Sequence, residues 1–257
     1  MKDLVWDSSE WLVRSLSRLP AELRLVCFPN AGAGMLMFRG WPDALPWAEV
    51  AFAHLPGRDG RRDDPIPSSI QAVADPLAHA LLGLPPLPTV LFGHSMGALI
   101  AFETARRLQT AGRAPAGLIV SARRAPSTDE RLPPLAQLPI EAFGRAAQER
   151  YGGISDQVLD DPELAGWVLP VLRSDLSLVE TYRYQPMAPL ESPILVYAGE
   201  DDPHTLPDEL DAWRNETRGV TIVRTFPGGH FYLDTARDVV LSTLIADARG
   251  WLAASRA

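Results

Sequence analysis

Apolar residues along the chain occur either in short unbroken runs or at intervals of three and four positions. The runs at 23–28, 49–55, 90–92, 117–121, 193–198 and 220–226 each read as a buried strand. Helical spacing is clearest at 69–82, where Ile70, Val73, Leu77 and Leu81 mark one face. It recurs after residue 95, with Ala101, Ala105 and Leu108 on one side until Gly112 stops the helix. A short helix is expected over 38–45, and a closing helix over 234–253. Six strands alternating with helices specify an α/β protein, a mostly parallel sheet covered on both faces. The first 20 residues read as a largely polar stretch with two tryptophans, Trp6 and Trp11, which are expected to cap the body. The whole of 1–257 reads as one domain.

One stretch breaks the alternation. Between Ser121 and Pro193 no strand is evident. A proline-rich linker (Pro126, Pro133, Pro134, Pro139) leads into an amphipathic pattern at Ile140, Phe143 and Ala147. A Gly152-Gly153 break follows, then a second helical run over 162–184. A helical insertion spanning 126–187 between two sheet strands reads as a lid over the carboxyl edge, or else as a plain helical subdomain.

The strand at 90–92 runs into Gly93-His94-Ser95-Met96-Gly97 and then a helix. A turn this sharp forces its central residue into a strained backbone, and side chains two residues to either side would collide. Glycine at 93 and 97 meets that demand, leaving the Ser95 hydroxyl on a bend facing the amino end of a helix. Ser95 is therefore the candidate nucleophile; the competing reading is an ordinary N-capping serine.

A serine nucleophile needs a base, and the base an orienting acid. Of five histidines, His79 lies within a helix and His54 near a strand end, and both read as structural. His94 adjoins Ser95, where the bend points neighbours apart, so it reads as support. His204 is the main rival to His230, which follows the last strand on a Gly228-Gly229 loop at the carboxyl edge. The acid is expected in Gly199-Glu200-Asp201-Asp202, after the preceding strand. The order serine, acid, histidine is that of α/β-hydrolases, which commonly place the acid third after the glycine, favouring Asp202 over Asp201. Backbone N–H groups must meet the oxyanion of the tetrahedral intermediate. Met96 is one candidate donor and Ala31, in Pro29-Asn30-Ala31-Gly32, the other. A phosphate-binding loop is disfavoured because Gly32-Ala33-Gly34 lacks Rossmann spacing and a following Lys-Ser/Thr pair.

Charge and cysteine count narrow the field. A net charge of −8 offers no footprint for nucleic acid or an anionic membrane, and no stretch is long and apolar enough to span a bilayer. One cysteine excludes an intrachain disulfide and most structural zinc sites, and no signal peptide is visible, so the cytoplasm is the expected compartment. Arg58, Arg61 and Arg62 cluster beside Asp59, Asp63 and Asp64. They read either as a site for a phosphate or an acidic partner, or as a locally neutralised salt-bridge turn.

Cys27-Phe28-Pro29-Asn30-Ala31-Gly32, Leu55-Pro56-Gly57-Arg58, Phe92-Gly93-His94-Ser95-Met96-Gly97, Arg123-Arg124-Ala125-Pro126, Leu172-Arg173-Ser174-Asp175, Glu180-x-Tyr182 and Gly228-Gly229-His230 occur in that order. Together they resemble the type II thioesterases, stand-alone α/β-hydrolases that accompany polyketide synthases and non-ribosomal peptide synthetases. Asn30 departs from the histidine or aromatic residue more usual there. The resemblance implies hydrolysis of acyl groups from the phosphopantetheine arm of acyl or peptidyl carrier proteins, clearing stalled units. It agrees with a Ser95, His230, Asp202 triad and implies no metal or redox cofactor; a monomer is expected. An esterase or lipase, an acyltransferase or chain-releasing enzyme, and a non-catalytic carrier-binding protein remain as alternatives from the residues alone.

Overall fold

A computed structural model describes residues 5–16, 20–128 and 131–254. Among them, eight strands form one sheet in the order β1-β2-β4-β3-β5-β6-β7-β8. These are β1 Val5–Ser8, β2 Leu12–Leu16, β3 Leu23–Phe28, β4 Ala48–Ala53, β5 Thr89–His94, β6 Gly117–Ser121, β7 Ile194–Gly199 and β8 Thr221–Phe226. From β4 through β8 all neighbours are parallel, whereas β1 and β2 pair antiparallel with each other and β2 antiparallel with β4.

The first two strands correct the expectation of six. The expected cap is an antiparallel ribbon that extends the sheet: Leu12 and Val13 are buried, and the Ser15 hydroxyl donates to the Val50 carbonyl at 3.1 Å. Its tryptophans do pack on the body, Trp6 against Phe52 and Trp11 beneath the Arg61 guanidinium. Residues 1–4 and 17–19 of the expected cap lie outside the described residues.

Helices cover both faces, as continuous burial of the strands requires. They are α1 Trp41–Ala44, α2 Ile70–Leu82, α3 Met96–Thr110, α4 Ile140–Tyr151, α5 Asp156–Asp160, α6 Pro162–Thr181, α7 Pro207–Asp211, α8 Tyr232–Thr235 and α9 Arg237–Ala254. Strand alternation sends Val26 and Phe28 of β3 into a core with α2 and α3, and Leu23, Leu25 and Cys27 into a second core with α1 and α9. Cys27 is wholly buried, and burial raises its thiol pKa well above the usual value. Ser69 caps α2 by accepting from the Ala72 N–H, and the predicted face of that helix, Ile70 to Leu81, is buried. Gly112 stands just past α3 with φ of +74°. The expected closing helix is broken in two, at Ala236.

Between β6 and β7 the chain is helical, with the short α5 added to the two expected helices. Phe143, Ala147, Ile154, Leu169 and Leu176 give this insertion a small core of its own. The last helix, α6, ends at Thr181 and not at residue 184. Tyr182 and Tyr184 leave it to donate hydrogen bonds to Glu103 and Glu216 at 2.8 and 2.7 Å.

Phe38, Trp41, Phe52 and Phe92 interlock beneath the sheet, with Phe38 fully buried and 5.0–6.2 Å from the other three ring centres. Truncation there removes apolar burial and leaves a cavity. Phe38→Ala should lower the unfolding free energy by about 3–5 kcal/mol, read from urea unfolding curves.

Candidate active site

Ser95 closes β5 and precedes the first residue of α3, with φ of 55° and ψ of −112°, a conformation an L-residue holds only under constraint. The constraint is steric. A Cβ on Gly93 would stand 2.1 Å from the Gly97 carbonyl oxygen, and one on Gly97 would stand 2.0 Å from that of Phe28. Both positions therefore exclude any other residue, as the pattern predicts. The Ser95 N–H donates to the Ser121 carbonyl at 2.8 Å, tying the bend to β6.

His230 follows β8, and Asp202 follows β7. Their loops meet because Gly199 has no side chain: a Cβ there would lie 2.3 Å from the Gly229 carbonyl oxygen and 2.4 Å from that of Gly228. His230 Nε2 is 3.0 Å from Ser95 Oγ, and its Nδ1 is 2.8 Å from Asp202 Oδ2. A carboxylate only accepts, so Nδ1–H donates to Asp202 and Nε2 accepts from the serine hydroxyl. Asp202 Oδ1 accepts from the His204 N–H at 2.9 Å. Burial raises the Asp202 pKa, but the hydrogen bond and charge of His230, with the His204 amide, outweigh it and hold the carboxyl below its usual value. That carboxylate stabilises the fold above its unfolded pKa, and the contribution is lost as pH falls through the folded one.

The remaining histidines separate. His204 is part of the acid loop, but its Nε2 meets the Arg150 carbonyl at 2.6 Å, not the serine. His79 is exposed on α2, and His54 sits against Gly60. His94 is fully buried behind the site, its Nδ1 2.8 Å from Ser121 Oγ, which is 2.5 Å from the Tyr232 hydroxyl. Its ring centre is 5.4 Å from that of His230. Asp201 is exposed and engages the histidine loop through its backbone, its N–H donating to Gly228 at 3.0 Å.

The serine and the imidazole open into a cavity of about 1120 Å³, including its open mouth. One wall is apolar, formed by Val168, Leu172, Leu176 and Val179 of α6, and Ala31 borders the same space. Met96, the other expected oxyanion donor, opens α3 and is buried. Among the described residues no group of His, Cys, Asp and Glu is arranged to hold a metal ion, and no helix is long and apolar enough to cross a membrane.

The arginine cluster divides, with two members turned inwards. Arg58 is buried and bonded in two-pronged fashion to Asp175 at 2.5 and 2.7 Å. Arg61 is buried over Trp11 and bonded to Asp64 and to the carbonyls of Glu10 and His54. The local salt-bridge turn holds for Arg61, through Asp64, whereas Arg58 is neutralised from α6 and not by the neighbouring aspartates. Arg62 alone of the three is exposed, its guanidinium 4.9 Å from the Trp167 ring centre on α6. Asp175 received no role from sequence; the signal was a carboxylate within an otherwise apolar helical face.

A parallel sheet that carries serine, carboxylate and imidazole after β5, β7 and β8, in that chain order, defines a serine hydrolase of the α/β type. Comparison with known proteins narrows the class. The sequence pattern of the thioesterase domain family matches residues 23–248. Thioesterase PikA5 of Streptomyces venezuelae is 40% identical over 235 residues, 89% of this chain and 82% of that protein. The probable cadicidin biosynthesis thioesterase of Streptomyces griseus is 40% identical over 94% of this chain, which spans 66% of that relative's length. Among solved structures, the type II thioesterase BorB from the borrelidin biosynthetic cluster superposes with a TM-score of 0.82 at 34% identity, covering 95% of this chain and 98% of that one. The chain belongs to the thioesterase family.

Burial, then the nearby charge of His230, lowers the His94 pKa well below the usual histidine value of 6.5, a shift that Asp202 opposes only in part. The unfolded chain takes up a proton there that the folded protein refuses. Stability should therefore fall as pH drops below about 6.5, approaching a slope of about 1.4 kcal/mol per pH unit. His94→Gln should remove that component, measured by urea unfolding between pH 5 and 7.

Proposed function

We propose that this chain is a stand-alone, editing thioesterase that hydrolyses acyl thioesters from the phosphopantetheine arm of carrier proteins in polyketide or non-ribosomal peptide synthesis. The observation that carries the reading is the hydrogen-bonded series Ser95, His230, Asp202 facing an apolar cavity, in a chain of the thioesterase family. Ser95 attacks the thioester carbon as His230 takes its proton, and Asp202 holds the ring and steadies the imidazolium. The tetrahedral oxyanion is met by the N–H groups of Met96 and Ala31, each worth about 3 kcal/mol of barrier. His230 returns the proton to the departing phosphopantetheine thiol. Water, with His230 as base, then releases the acid and regenerates Ser95.

These steps use side chains and backbone alone, the phosphopantetheine entering with the substrate. The insertion at 126–187 acts as a lid within a single 1–257 domain, its α6 face lining the acyl chamber. Carrier domains of a cytoplasmic synthase are the partners, met by the enzyme as a monomer. Of the arginines, Arg62 is the member available to them, exposed beside Trp167.

Incubation with acyl-loaded carrier proteins, and with the same acyl groups on coenzyme A, tests the reading by intact-mass detection of the freed thiol. Free acid as product separates hydrolysis from transfer to an alcohol or amine, and slower turnover of matched oxoesters separates it from an esterase. Ser95→Ala should abolish release without altering the circular dichroism spectrum. Asp202→Asn should keep the fold and lower kcat by about 10⁴-fold, because the ring loses its tautomer and aim. Arg62→Glu should lower kcat/KM several-fold on carrier-bound substrate while sparing a small thioester mimic; an equal fall on both substrates would remove Arg62 from carrier recognition.

A further inference from the structure

The Arg58–Asp175 pair joins three parts of the chain that are far apart in sequence. Asp175 lies on α6 and is 1% exposed; Arg58 follows β4 and is 8% exposed. The same Asp175 Oδ2 that receives Arg58 Nη1 also accepts the Gly32 N–H at 2.8 Å, and Arg58 Nη1 donates onward to the Ala33 carbonyl at 3.1 Å. Arg58 is itself fixed from behind by the Pro56 carbonyl, at 3.2 Å from Nε and 3.1 Å from Nη2. Two buried charges thus grip residues 32 and 33, immediately after Ala31.

That grip determines where the Ala31 N–H points. The Ala33 N–H donates to the Asn30 carbonyl at 3.1 Å, closing a turn over 30–33. Because the peptide is planar and trans, fixing the Asn30 carbonyl on one side leaves the Ala31 N–H directed to the other. The next peptide is held at both ends, its carbonyl by the Asn30 side chain at 2.9 Å and its N–H by Asp175. Gly32 has φ of +76°, and a Cβ there would lie 3.1 Å from Leu172 Cδ1, one turn before Asp175 on α6. The loop therefore rests on that helix through a charge and through packing.

We propose that Asp175, held by Arg58, is a positioning residue that aims the Ala31 N–H at the developing oxyanion, so that seating α6 on the body and completing the oxyanion hole are one event. The proposal rests on the hydrolase reading of Ser95 and adds to it a dependence of the chemical step on the helical insertion. A pair serving only to pin α6 would affect ground state and transition state alike. A positioning pair affects the state that carries the oxyanion.

The test uses the full chain and a small acyl thioester. Affinities are measured for a trifluoromethyl ketone, which adds to Ser95 and bears an oxyanion, and for a thioether analogue without the carbonyl. Asp175→Ala should lower kcat about 10–100-fold, a fraction of the loss of a whole oxyanion donor. It should weaken the ketone in proportion, with KM and thioether affinity within twofold of wild type. Asp175→Asn still accepts from Gly32 and should lose less. Arg58→Lys retains a cation without the two-pronged contact and should change the same quantities in the same direction; it carries the test if Asp175→Ala does not fold. A kcat within twofold of wild type in these variants, or equal weakening of ketone and thioether, would overturn the proposal. Labelling of wild-type Ser95 by a fluorophosphonate keeps the two readings distinct: a labelled, active enzyme indifferent to Asp175 defeats the positioning role alone, whereas an unlabelled, inactive wild type defeats both.

Discussion

The first turn of α3 is pressed so closely onto the end of β3 that no side chain fits between them. With Gly97 against the Phe28 carbonyl and Gly93 against the Gly97 carbonyl, the chain passes from strand to helix within one residue, and Ser95 takes up the strain. The same contact decides where the loop after β3 begins. Pro29 follows the carbonyl on which Gly97 rests, so the loop bearing Ala31 leaves β3 beside the helix terminus that carries Met96. Ser95 and the loop bearing Ala31 are neighbours because β3 and β5 are parallel partners joined at this one tight approach.

A second close approach completes the arrangement. The β7 and β8 ends are adjacent, and Gly199 lets the acid loop lie directly on the backbone of the histidine loop. The N–H groups of Glu200 and Asp201 donate to the carbonyls of Phe226 and Gly228, so the two loops hold one another. Asp202 can then orient His230 with little freedom to lose, since both side chains are nearly buried. Such mutual support suits a site whose imidazole must keep one tautomer through proton transfers.

Much of this was legible in the chain because it depends on local sterics. Strands buried on both faces stand out as unbroken apolar runs, and Gly-x-Ser-x-Gly states its own backbone requirement. The antiparallel ribbon did not stand out: β1 and β2 are short and mix Asp, Ser and Arg with apolar residues, and the burial of β2 comes from β4, about 40 residues on. Arg58 failed to declare itself for a related reason. Beside three aspartates it resembled a surface cluster, yet its partner is 117 residues away on a helix whose docking no local pattern reveals. Asp175 stood in one of the stretches that carry the family resemblance, but nothing beside it in the chain named its cation. Local geometry is written in adjacent residues; the pairing of buried charges depends on the tertiary fold.

The lone cysteine has a practical consequence. Cys27 lies in the middle of the central sheet, wholly enclosed, with its thiol held protonated by burial. With the thiol enclosed and its ionisation disfavoured by burial, maleimide and disulfide reagents should find no reactive site in the folded protein. A single thiol introduced on the outer surface of α6 could thus carry a fluorophore or spin label without prior removal of Cys27, and so without disturbing the strand from which the loop bearing Ala31 departs.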